Sequence, residues 1–472
     1  MGNQTEMMRK DSSVPVFDQN VVQRQSVADV PSSNAPRECD VLVIGGGPAG
    51  STVATRLAER GYNVVLMEKA HHPRFHIGES LLPLNLPLLE ELGVKAEVEQ
   101  QSMIKHGVEF VSPWHANKSV LLDFADAWDK QYPYAYQVRR SDFDHTLIKN
   151  AKAKGATIIE GCRVNKVVFD DAGAGAEVTA QTDTDETLQY SARFVVDASG
   201  RDTILANQFG TKAKNKAHAS AAIYGHFEGA TRHPGKLEGN ISVFWFDHGW
   251  FWFIPLSDGA TSVGAVCWPY YLKSRKNSPE AFFMDTIAMC APLAERLKDA
   301  KLVSEVTATG NYSYTSHRSS GKNYLMLGDA FAFIDPVFSS GVFLAMNSGF
   351  VGADTIDTCL KEPQKAAAAL KKFDKVMRAG PKQFSWFIYR LTSPSMRDLF
   401  MAPQNTWRVQ EAILAVLAGD IFRGTPIHGR LMIFRCIYYI TSLMNVKRNW
   451  TAWRRRKKNI AELVPRAIVT NS

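Results

Sequence analysis

The sequence predicts an α/β fold that combines a parallel sheet, an antiparallel sheet and a helical C-terminal region. Residues 40–44 form a continuous apolar run, and a glycine-rich turn, a helical pattern and a second apolar run follow, as in the βαβ unit of a parallel sheet. Residues from about 104 to 321 are rich in Val, Phe, Tyr and Trp and contain turn signals, which favours antiparallel strands. From Gly341 onward helical spacing dominates, with weak breaks near Pro381, Pro394, Pro403 and Gly424.

The βαβ unit carries G-x-G-x-x-G at Gly45, Gly47 and Gly50, with Ala49 inside the motif. This spacing suits a tight turn, a close approach of the backbone to a pyrophosphate, and packing of the helix on the strand. Glu68 lies 18 residues after Gly50, at the end of the second strand, where a carboxylate can accept hydrogen bonds from a ribose diol. The pattern predicts a dinucleotide site. A glycine-rich turn without a ligand is the alternative, and the motif alone does not separate FAD from NAD.

Two later segments, residues 194–200 and residues 324–330, extend this interpretation, since each is an apolar strand that ends in a small, polar turn. Residues 324–327 form an apolar strand that ends at Gly328 and Asp329. At the carboxyl edge of a parallel sheet, Asp329 can bind a ribityl or ribose hydroxyl, although it could instead cap a helix. Residues 166–180 predict a β-hairpin that turns near Gly173, rather than a second nucleotide loop, because no helical pattern follows.

An aromatic motif occupies residues 250–255, which read W-x-W-x-I-P with Trp250 and Trp252. Taken alone, alternating aromatic residues are more typical of a strand buried on both faces. Residues 333–341 read F-x-x-P-x-x-S-x-G and lead into a helix near Gly341. The unpaired N–H groups at the start of that helix can bind an anion, unless Ser339 or Ser340 simply caps the helix.

A further segment, residues 75–83, reads F-H-I-G-E-S-L-L-P, and Lys105 lies 25 residues after its serine. These motifs and the glycine fingerprint resemble those of the flavin-dependent halogenases, within the class of FAD monooxygenase-like proteins. The similarity covers residues 39–442. It implies a Rossmann-like FAD-binding domain of the p-hydroxybenzoate-hydroxylase type with an interleaved antiparallel substrate sheet, FAD in its reduced form as cofactor, and chloride or bromide as co-substrate.

The resemblance also implies roles for particular residues. Trp250 and Trp252, together with Phe338, would keep the organic substrate away from the flavin. The N–H groups of Ser340 and Gly341 would bind the halide. Hypohalous acid made at the flavin would then pass the tryptophans and react with an electron-rich ring.

Three more residues receive roles in the same way. Val342 would lie beside the isoalloxazine, and Lys105 would form a haloamine or polarise hypohalous acid. A buried lysine suits either role because burial lowers its pKa, but burial is not readable from this segment. Arg140 aligns with an arginine that contacts FAD, and an ion pair with Asp142 or Asp144 is an equal alternative.

One departure from the family bears on the substrate. Tryptophan-type halogenases carry a glutamate where this chain has Phe338. We therefore expect not free tryptophan but a phenol or pyrrole, either as a small molecule or tethered to an acyl or peptidyl carrier protein. The rival enzyme classes are an FAD-dependent monooxygenase and an alkene reductase of the geranylgeranyl reductase type, which share the fingerprint but need neither the aromatic motif nor the lysine.

The composition sets further expectations. Hydrophobic residues make up 45% and charged residues 22% of the 472 residues, as in globular proteins with room for two or three domains. The six cysteines show neither C-x-x-C nor metal-ligand spacing, so we expect reduced thiols, a cytoplasmic setting and no metal site. With a single nucleotide fingerprint, we expect a separate flavin reductase to supply reduced FAD.

The basic residues are unevenly distributed. Seven of them lie in residues 447–458 without an acidic residue, and without these seven the net charge of +8 falls to +1. An apolar helical stretch, residues 431–446, precedes this cluster, so the segment could meet an anionic membrane surface or an acidic carrier protein, or could pack as an ordinary helix with a solvated basic end. Nucleic acid is disfavoured because the basic run is short and terminal.

These patterns give the expected domain organisation. Residues 1–36 are polar and form a flexible leader. The FAD-binding domain comprises 37–104, 130–165, 190–215 and 310–365. The substrate sheet comprises 105–129, 166–189 and 216–309, and residues 366–472 form the helical region with its basic tail.

Overall fold

The computed structural model describes residues 36–171, 173–215, 220–310 and 313–463. The predicted leader therefore lies almost entirely outside the described residues, as does the end of the basic tail from 464 onward. The strands are β1 Arg37–Ile44, β2 Val64–Met67, β3 Met103–Lys105, β4 Gly107–Ser112, β5 Lys118–Asp123, β6 Ala135–Gln137, β7 Thr157–Ile159, β8 Cys162–Phe169, β9 Ala176–Thr182, β10 Thr187–Asp197, β11 Lys212–Lys214, β12 Ala221–Glu228, β13 Ile241–Phe246, β14 Gly249–Pro255, β15 Thr261–Cys267, β16 Lys301–Leu302, β17 Thr307–Thr309, β18 Tyr314–Ser316, β19 Ser320–Gly321, β20 Tyr324–Met326 and β21 Ala332–Phe333. The α-helices are α1 Pro48–Ala58, α2 Asn85–Leu92, α3 Lys95–Gln100, α4 Arg140–Ala153, α5 Ile204–Gln208, α6 Pro269–Lys273, α7 Pro279–Ala288, α8 Ala291–Arg296, α9 Ser340–Lys361, α10 Ala366–Ile388, α11 Pro394–Met401, α12 Val409–Ala418, α13 His428–Met444 and α14 Val446–Leu463.

The predicted βαβ unit forms the centre of the first sheet, whose strand order is β19-β20-β10-β1-β2-β7. β1 lies parallel to both β2 and β10, and β20 lies parallel to β10. The strands are apolar because the sheet is covered on both faces, as parallel sheets usually are. Since their carboxyl ends share one edge, the turn after β1, Glu68 after β2 and Asp329 after β20 meet there.

The predicted hairpin is confirmed as β8 and β9, but its place in the fold corrects our assignment. We placed residues 166–189 in the substrate sheet, whereas β9 pairs antiparallel with the first half of β10 and so extends the first sheet. The reason is the length of β10: on that side β20 pairs only with residues 195–197, which leaves the preceding edge open to β9.

The second sheet has the order β16-β12-β15-β14-β13-β4-β5, with β17 also paired to β12. It is antiparallel except between β13 and β4. Its central strands are buried on both faces. One face packs against α7 and α8, and the other packs towards α10–α13.

The helical C-terminal region is present from α9 onward. The expected break near Pro381 is wrong, because Pro381 lies inside α10. Pro394 instead stands in the first turn of α11, where its missing N–H costs no helical hydrogen bond. Among the described residues, no helix is both long and apolar enough to cross a bilayer.

Candidate active site

The glycine turn after β1 is built from close backbone contacts. A Cβ on Gly50 would lie 1.9 Å from the carbonyl oxygen of Gly45, and Gly45 itself adopts a φ of +102°. Neither position therefore accepts a side chain. Gly47 differs, since only an Arg74 nitrogen 3.8 Å away lies near its missing Cβ. Gly47 is also the N-cap of α1 and makes no side-chain cap, so the helix presents its first N–H groups to open space.

Glu68 is buried at the end of β2, as predicted. Its two carboxylate oxygens accept hydrogen bonds from the backbone N–H groups of Gly46, at 2.7 Å, and Ala70, at 3.0 Å. These bonds fix the carboxylate against the glycine turn. Each oxygen keeps a second lone pair, which is the acceptor capacity that a ribose diol needs.

A cavity of about 440 Å³ runs from this turn to the second sheet. Eleven of the predicted site residues line it: Gly45, Gly47, Ala49, Glu68, Arg140, Trp250, Trp252, Asp329, Ser340, Gly341 and Val342. Residues more than 290 positions apart in the sequence thus share one space. Gly50 lies behind the turn, where its contact with Gly45 holds the motif closed.

Asp329 lines the cavity within a short turn after β20. The N-cap of that turn is Leu327, so the alternative role of Asp329 as a helix cap does not apply. Burial raises the pKa of the Asp329 carboxyl to about 6, and the charges of Arg140 and Arg201 partly oppose this. A hydroxyl donor in the cavity would stabilise the charged form.

Arg140 makes the ion pair that the sequence left open. Its guanidinium binds Asp144 with two hydrogen bonds, Nε to Oδ1 at 2.8 Å and Nη2 to Oδ2 at 2.9 Å. It also donates to the backbone carbonyl of Ile77 at 3.1 Å and lines the cavity. The Arg140 guanidinium lowers the pKa of the buried Asp144 carboxyl, against the effect of burial. A contact between Arg140 and FAD remains a prediction.

The predicted helix at Gly341 begins one residue earlier, as α9 at Ser340. Ser339 occupies the N-cap with a φ of +54° and makes no side-chain cap. Within the described residues, the buried Ser340 hydroxyl also has no hydrogen-bond partner. The first N–H groups of α9 therefore remain available to an anion beside the cavity, and the alternative of an ordinary serine cap is not what the structure shows.

The two tryptophans lie on one face of β14, and both line the cavity. The expectation of a strand buried on both faces also holds, because Phe251 and Phe253 pack into the core on the other side. Trp252 donates its indole N–H to Ser262 Oγ at 3.1 Å. On the neighbouring strand, a Cβ at Gly264 would lie 2.2 Å from the Trp252 ring. Gly264 thus leaves the space that the indole occupies.

Phe338 is placed differently from the two tryptophans. Its buried ring packs edge-on against Phe387 of α10, with 6.2 Å between ring centroids. Phe338 is not among the described residues that line the cavity. Of the three residues expected to shield the flavin, Trp250 and Trp252 line the cavity, whereas Phe338 packs against α10.

Lys105 ends β3 and is buried, with 1% of its surface exposed. Its Nζ donates to Ser80 Oγ at 2.9 Å and to the backbone carbonyl of Leu81 at 2.8 Å. The Phe124 ring lies 5.3 Å from the amine. Burial lowers the pKa of Lys105 to about 7. Ser80, and not Lys105, reaches the cavity lining, so the serine hydroxyl lies between the amine and the cavity.

Comparisons with known proteins show the family to which the chain belongs. The family model described as tryptophan halogenase matches residues 40–129 and 125–398. A 1H-pyrrole-2-carbonyl-[peptidyl-carrier protein] chlorinase of Pseudomonas fluorescens is 30% identical over 410 residues, which cover 82% of this chain and 90% of that protein. The chain belongs to the flavin-dependent halogenase family.

Other members and neighbours support the family and the fold. A tryptophan 2-halogenase of Chondromyces crocatus is 34% identical over 351 residues, 72% of this chain, and the match spans 65% of that relative's length. The solved structure of the myxobacterial chondrochloren halogenase is 32% identical with a TM-score of 0.72, covering 86% of this chain and 97% of that one. A flavoprotein/dehydrogenase from Cytophaga hutchinsonii is 28% identical with a TM-score of 0.78, covering 87% and 100%.

Flavin-dependent halogenases use FAD, and the residues present here fit that cofactor. The missing Cβ of Gly47 leaves the helix N-terminus open to a pyrophosphate, and Glu68 has lone pairs to spare for a ribose. The same cavity is also lined by Asp329, Val342 and the two tryptophans, so residues suited to each part of a dinucleotide share one space. These residues would hold the adenosine, pyrophosphate and flavin parts in that order.

A polar cluster next to Ser80 is not predicted by the sequence. Glu79 is buried, and its Oε1 lies 2.8 Å from Nε2 of His226 on β12. Its other carboxylate oxygen has no hydrogen-bond partner among the described residues. The pair joins the segment that carries Ser80 to the second sheet. The G-E-S segment was the only sequence signal, since the position of His226 depends on the fold.

Proposed function

We propose that this chain is a halogenase that depends on reduced FAD and O₂ and transfers a halogen, through Lys105, to an electron-rich aromatic ring. The observation that carries the proposal is the buried Lys105 amine, held by Ser80 at the wall of the cavity that also contains the α9 N-terminus and the two tryptophans. Bound reduced FAD would supply the reaction with O₂ that oxidises the halide to hypohalous acid.

The N-terminus of α9 supports the halide site. Uncapped N–H groups and the helix dipole together favour an anion, and the N–H groups of Ser340 and Gly341 are the first in line. Ser340 also has a buried hydroxyl without a partner, which can donate to the same ion. These donors would hold chloride or bromide at the flavin end of the cavity.

Trp250 and Trp252 line the same cavity from one face of β14, and their indole rings would keep an organic ring away from the flavin end. A small molecule such as hypohalous acid can pass where an organic substrate cannot. Confinement favours halogenation, because the ring then meets the halogen at Lys105 instead of reacting at the flavin.

The lowered pKa of Lys105 supports its role in the transfer. With a pKa of about 7, close to half of the amine is neutral near neutral pH. The neutral amine can attack hypohalous acid, which forms a nitrogen–halogen bond and releases water. The ring carbon then takes the halogen and gives up its proton, and the amine is restored. The ammonium form could instead donate a hydrogen bond to hypohalous acid, and Ser80 Oγ is placed to relay a proton in either case.

For the substrate, we propose a phenol or pyrrole, free or tethered to a carrier protein. Phe338 puts an apolar ring where tryptophan-type enzymes carry a glutamate, so this chain lacks a carboxylate that is typical of the enzymes acting on free tryptophan. The match covers 90% of the Pseudomonas fluorescens relative, against 65% of the Chondromyces crocatus one, and the Pseudomonas relative is named for a carrier-bound pyrrole. A separate flavin reductase would supply reduced FAD, and the cytoplasmic setting remains our expectation.

The test is mass spectrometry of products made by the purified chain with FAD, a flavin reductase, NADH and either bromide or chloride. The substrate panel contains simple phenols, a carrier-bound pyrrole and free tryptophan, and Lys105→Ala is assayed beside the parent protein. We expect a halogen isotope pattern on a phenol or pyrrole that disappears in Lys105→Ala.

Other products would assign the chain to another class. A product heavier by one oxygen, formed without halide, would indicate a monooxygenase. A reduced alkene, formed while NADH is consumed without halide, would indicate a reductase. The Cytophaga hutchinsonii neighbour, named a flavoprotein/dehydrogenase, makes this class the one to test. Halogenated tryptophan would overturn the substrate assignment while leaving the role of Lys105 intact.

A further inference from the structure

The last two helices present an apolar face to solvent. Only Asn445 separates α13 from α14. From position 432 to its end, α13 exposes six residues, all without charge: Met432, Cys436, Tyr439, Ile440, Leu443 and Met444. Their spacing of three and four residues places them on one side of the helix. Buried residues such as Leu431, Phe434 and Tyr438 lie on the opposite side of the helix. The buried side and the solvent-exposed side of α13 are therefore both apolar.

α14 continues this face. Val446, Trp450 and Trp453 are 60%, 52% and 45% exposed, and the two indole rings stack with centroids 4.9 Å apart. Eight of the eighteen large hydrophobic side chains exposed in the described residues lie between Met432 and Trp453. At 1.5 Å per residue, the part of α13 from Met432 to Met444 is by itself about 20 Å long. We call these eight residues the C-terminal surface: Met432, Tyr439, Ile440, Leu443, Met444, Val446, Trp450 and Trp453.

Basic residues border the C-terminal surface. Lys457 lies 4.1 Å from the centre of the Trp453 ring, and Arg454 lies 5.2 Å from that of Trp450. The exposed Lys447 lies between them and α13. The opposite side of α14 is tied to the protein, since Arg448 pairs with Asp398 at 2.7 Å. From residue 428 to residue 458 the sequence contains no acid, so the charged side chains that α13 and α14 themselves contribute over this range are all positive.

We infer that the C-terminal surface docks on an anionic lipid bilayer, with α13 and α14 lying in the plane of the interface. The apolar side chains and tryptophans of such a stripe enter the acyl-chain region at the membrane surface. The bordering lysines and arginines then contact the anionic headgroups. A second copy of the chain fits less well, because pairing two such faces would bring like charges together. A carrier protein delivering substrate would need the cavity, and no described residue of α13 or α14 lines it.

The experiment is co-sedimentation of the full chain with vesicles of phosphatidylcholine alone and of phosphatidylcholine with one quarter phosphatidylglycerol. We expect binding to the anionic vesicles, weakening as salt rises from 0.05 to 0.5 M, and little binding to the neutral ones. Leu443→Glu/Met444→Glu should weaken binding at least tenfold. Both side chains are more than 70% exposed, so the substitutions leave the fold intact, which circular dichroism would verify.

Two further variants sharpen the test. Met284→Glu/Val303→Glu adds the same charge at exposed apolar positions outside the C-terminal surface and should leave binding unchanged. Lys447→Gln/Arg454→Gln should weaken binding to the anionic vesicles by about fivefold for each basic residue removed.

Several results would overturn the inference. The parent protein could fail to bind anionic vesicles, or the Met284→Glu/Val303→Glu control could lose binding equally. Light scattering could show a dimer that Leu443→Glu/Met444→Glu dissociates, which would make a second copy the occupant. Binding to an acyl carrier protein, lost in the same variant while vesicles are ignored, would make an acidic carrier the occupant. None of these readouts depends on halogenation.

Discussion

The two ends of the cavity are built in different ways. At the nucleotide end, Gly45, Gly50 and Glu68 lie within 24 consecutive residues and act through backbone contacts and one carboxylate. At the reaction end, side chains from distant segments converge: Ser80 and Lys105 from one region, Trp250 and Trp252 from the second sheet, and the start of α9. The nucleotide end is formed by residues that are close in the sequence. The reaction end forms only when distant segments are brought together by the fold.

The two ends of the cavity also differ in the physical constraint that limits which residues they accept. At Gly45 and Gly50 the glycine turn leaves no space for a side chain, so the constraint there is steric. The reaction end buries an ionisable amine, whose charged form is disfavoured there, so its constraint is electrostatic. Changes at the first end should therefore disturb folding or FAD binding, and changes at the second should disturb chemistry while FAD still binds.

Gly50→Ala should have the largest effect. The added Cβ would lie 1.9 Å from a backbone oxygen, so the turn must open, and the free energy of unfolding should fall by about 3 kcal/mol or more. Gly47→Ala is the matched variant, because its Cβ meets nothing closer than 3.8 Å. It should melt like the parent protein but bind FAD at least tenfold more weakly, measured by flavin fluorescence. Equal melting temperatures for the two variants would contradict the steric account.

Lys105→Met should come next. Methionine fills a similar space without an amine, so FAD affinity should stay within about twofold while the halogenation rate falls by about a thousandfold, the scale of losing a positioned acid–base group or nucleophile. Lys236→Met, at an exposed lysine, is the control and should retain full activity. Loss of FAD binding in Lys105→Met would mean that the two ends are not separable.

Lys105 should also leave a signature in stability. Its folded pKa of about 7 lies below its usual value near 10.4, so between these pH values the unfolded chain holds one more proton than the folded chain. Stability then rises with pH in that window. Relative to Lys105→Met, the parent protein should gain about 1.4 kcal/mol per pH unit between pH 7 and 10. Urea unfolding of both proteins at pH 7, 8 and 9 measures this, and parallel pH curves would refute the lowered pKa.

The nucleotide end of the cavity is predictable from the sequence to a greater extent than the reaction end. The glycine spacing, the strand before it and Glu68 are consecutive in the sequence, so the βαβ unit and its open helix end were predictable. Lys105 was found only through the family resemblance, since its burial depends on Ser80, Leu81 and Phe124 from other segments. The pairing of Glu79 with His226 had no local signal at all.

Two errors have the same origin. The hairpin at residues 166–180 was recognised from its turn, but which sheet it joins is decided by the open edge of β10, a tertiary property. Pro381 was read as a break, whereas packing of α10 keeps the helix continuous across it. At the hairpin the local pattern predicts the element but not its neighbour in the sheet, and at Pro381 the local preference is overridden by the rest of the fold.

Gly264→Ala should have the smallest effect, and it tests whether the tryptophan wall belongs to the reaction end alone. The new Cβ would enter the space of the Trp252 ring at 2.2 Å, so the indole must move into the cavity or strain β15. Overpacking of this kind costs about 1–3 kcal/mol of stability. Because the glycine turn and Glu68 are untouched, FAD should still bind, while NADH consumption rises relative to halogenated product. Gly310→Ala, where a Cβ meets nothing within 4 Å, should change neither quantity. If Gly264→Ala kept the parent ratio of product to NADH, the position of Trp252 would not control where the halogen goes, and the wall would be core packing only.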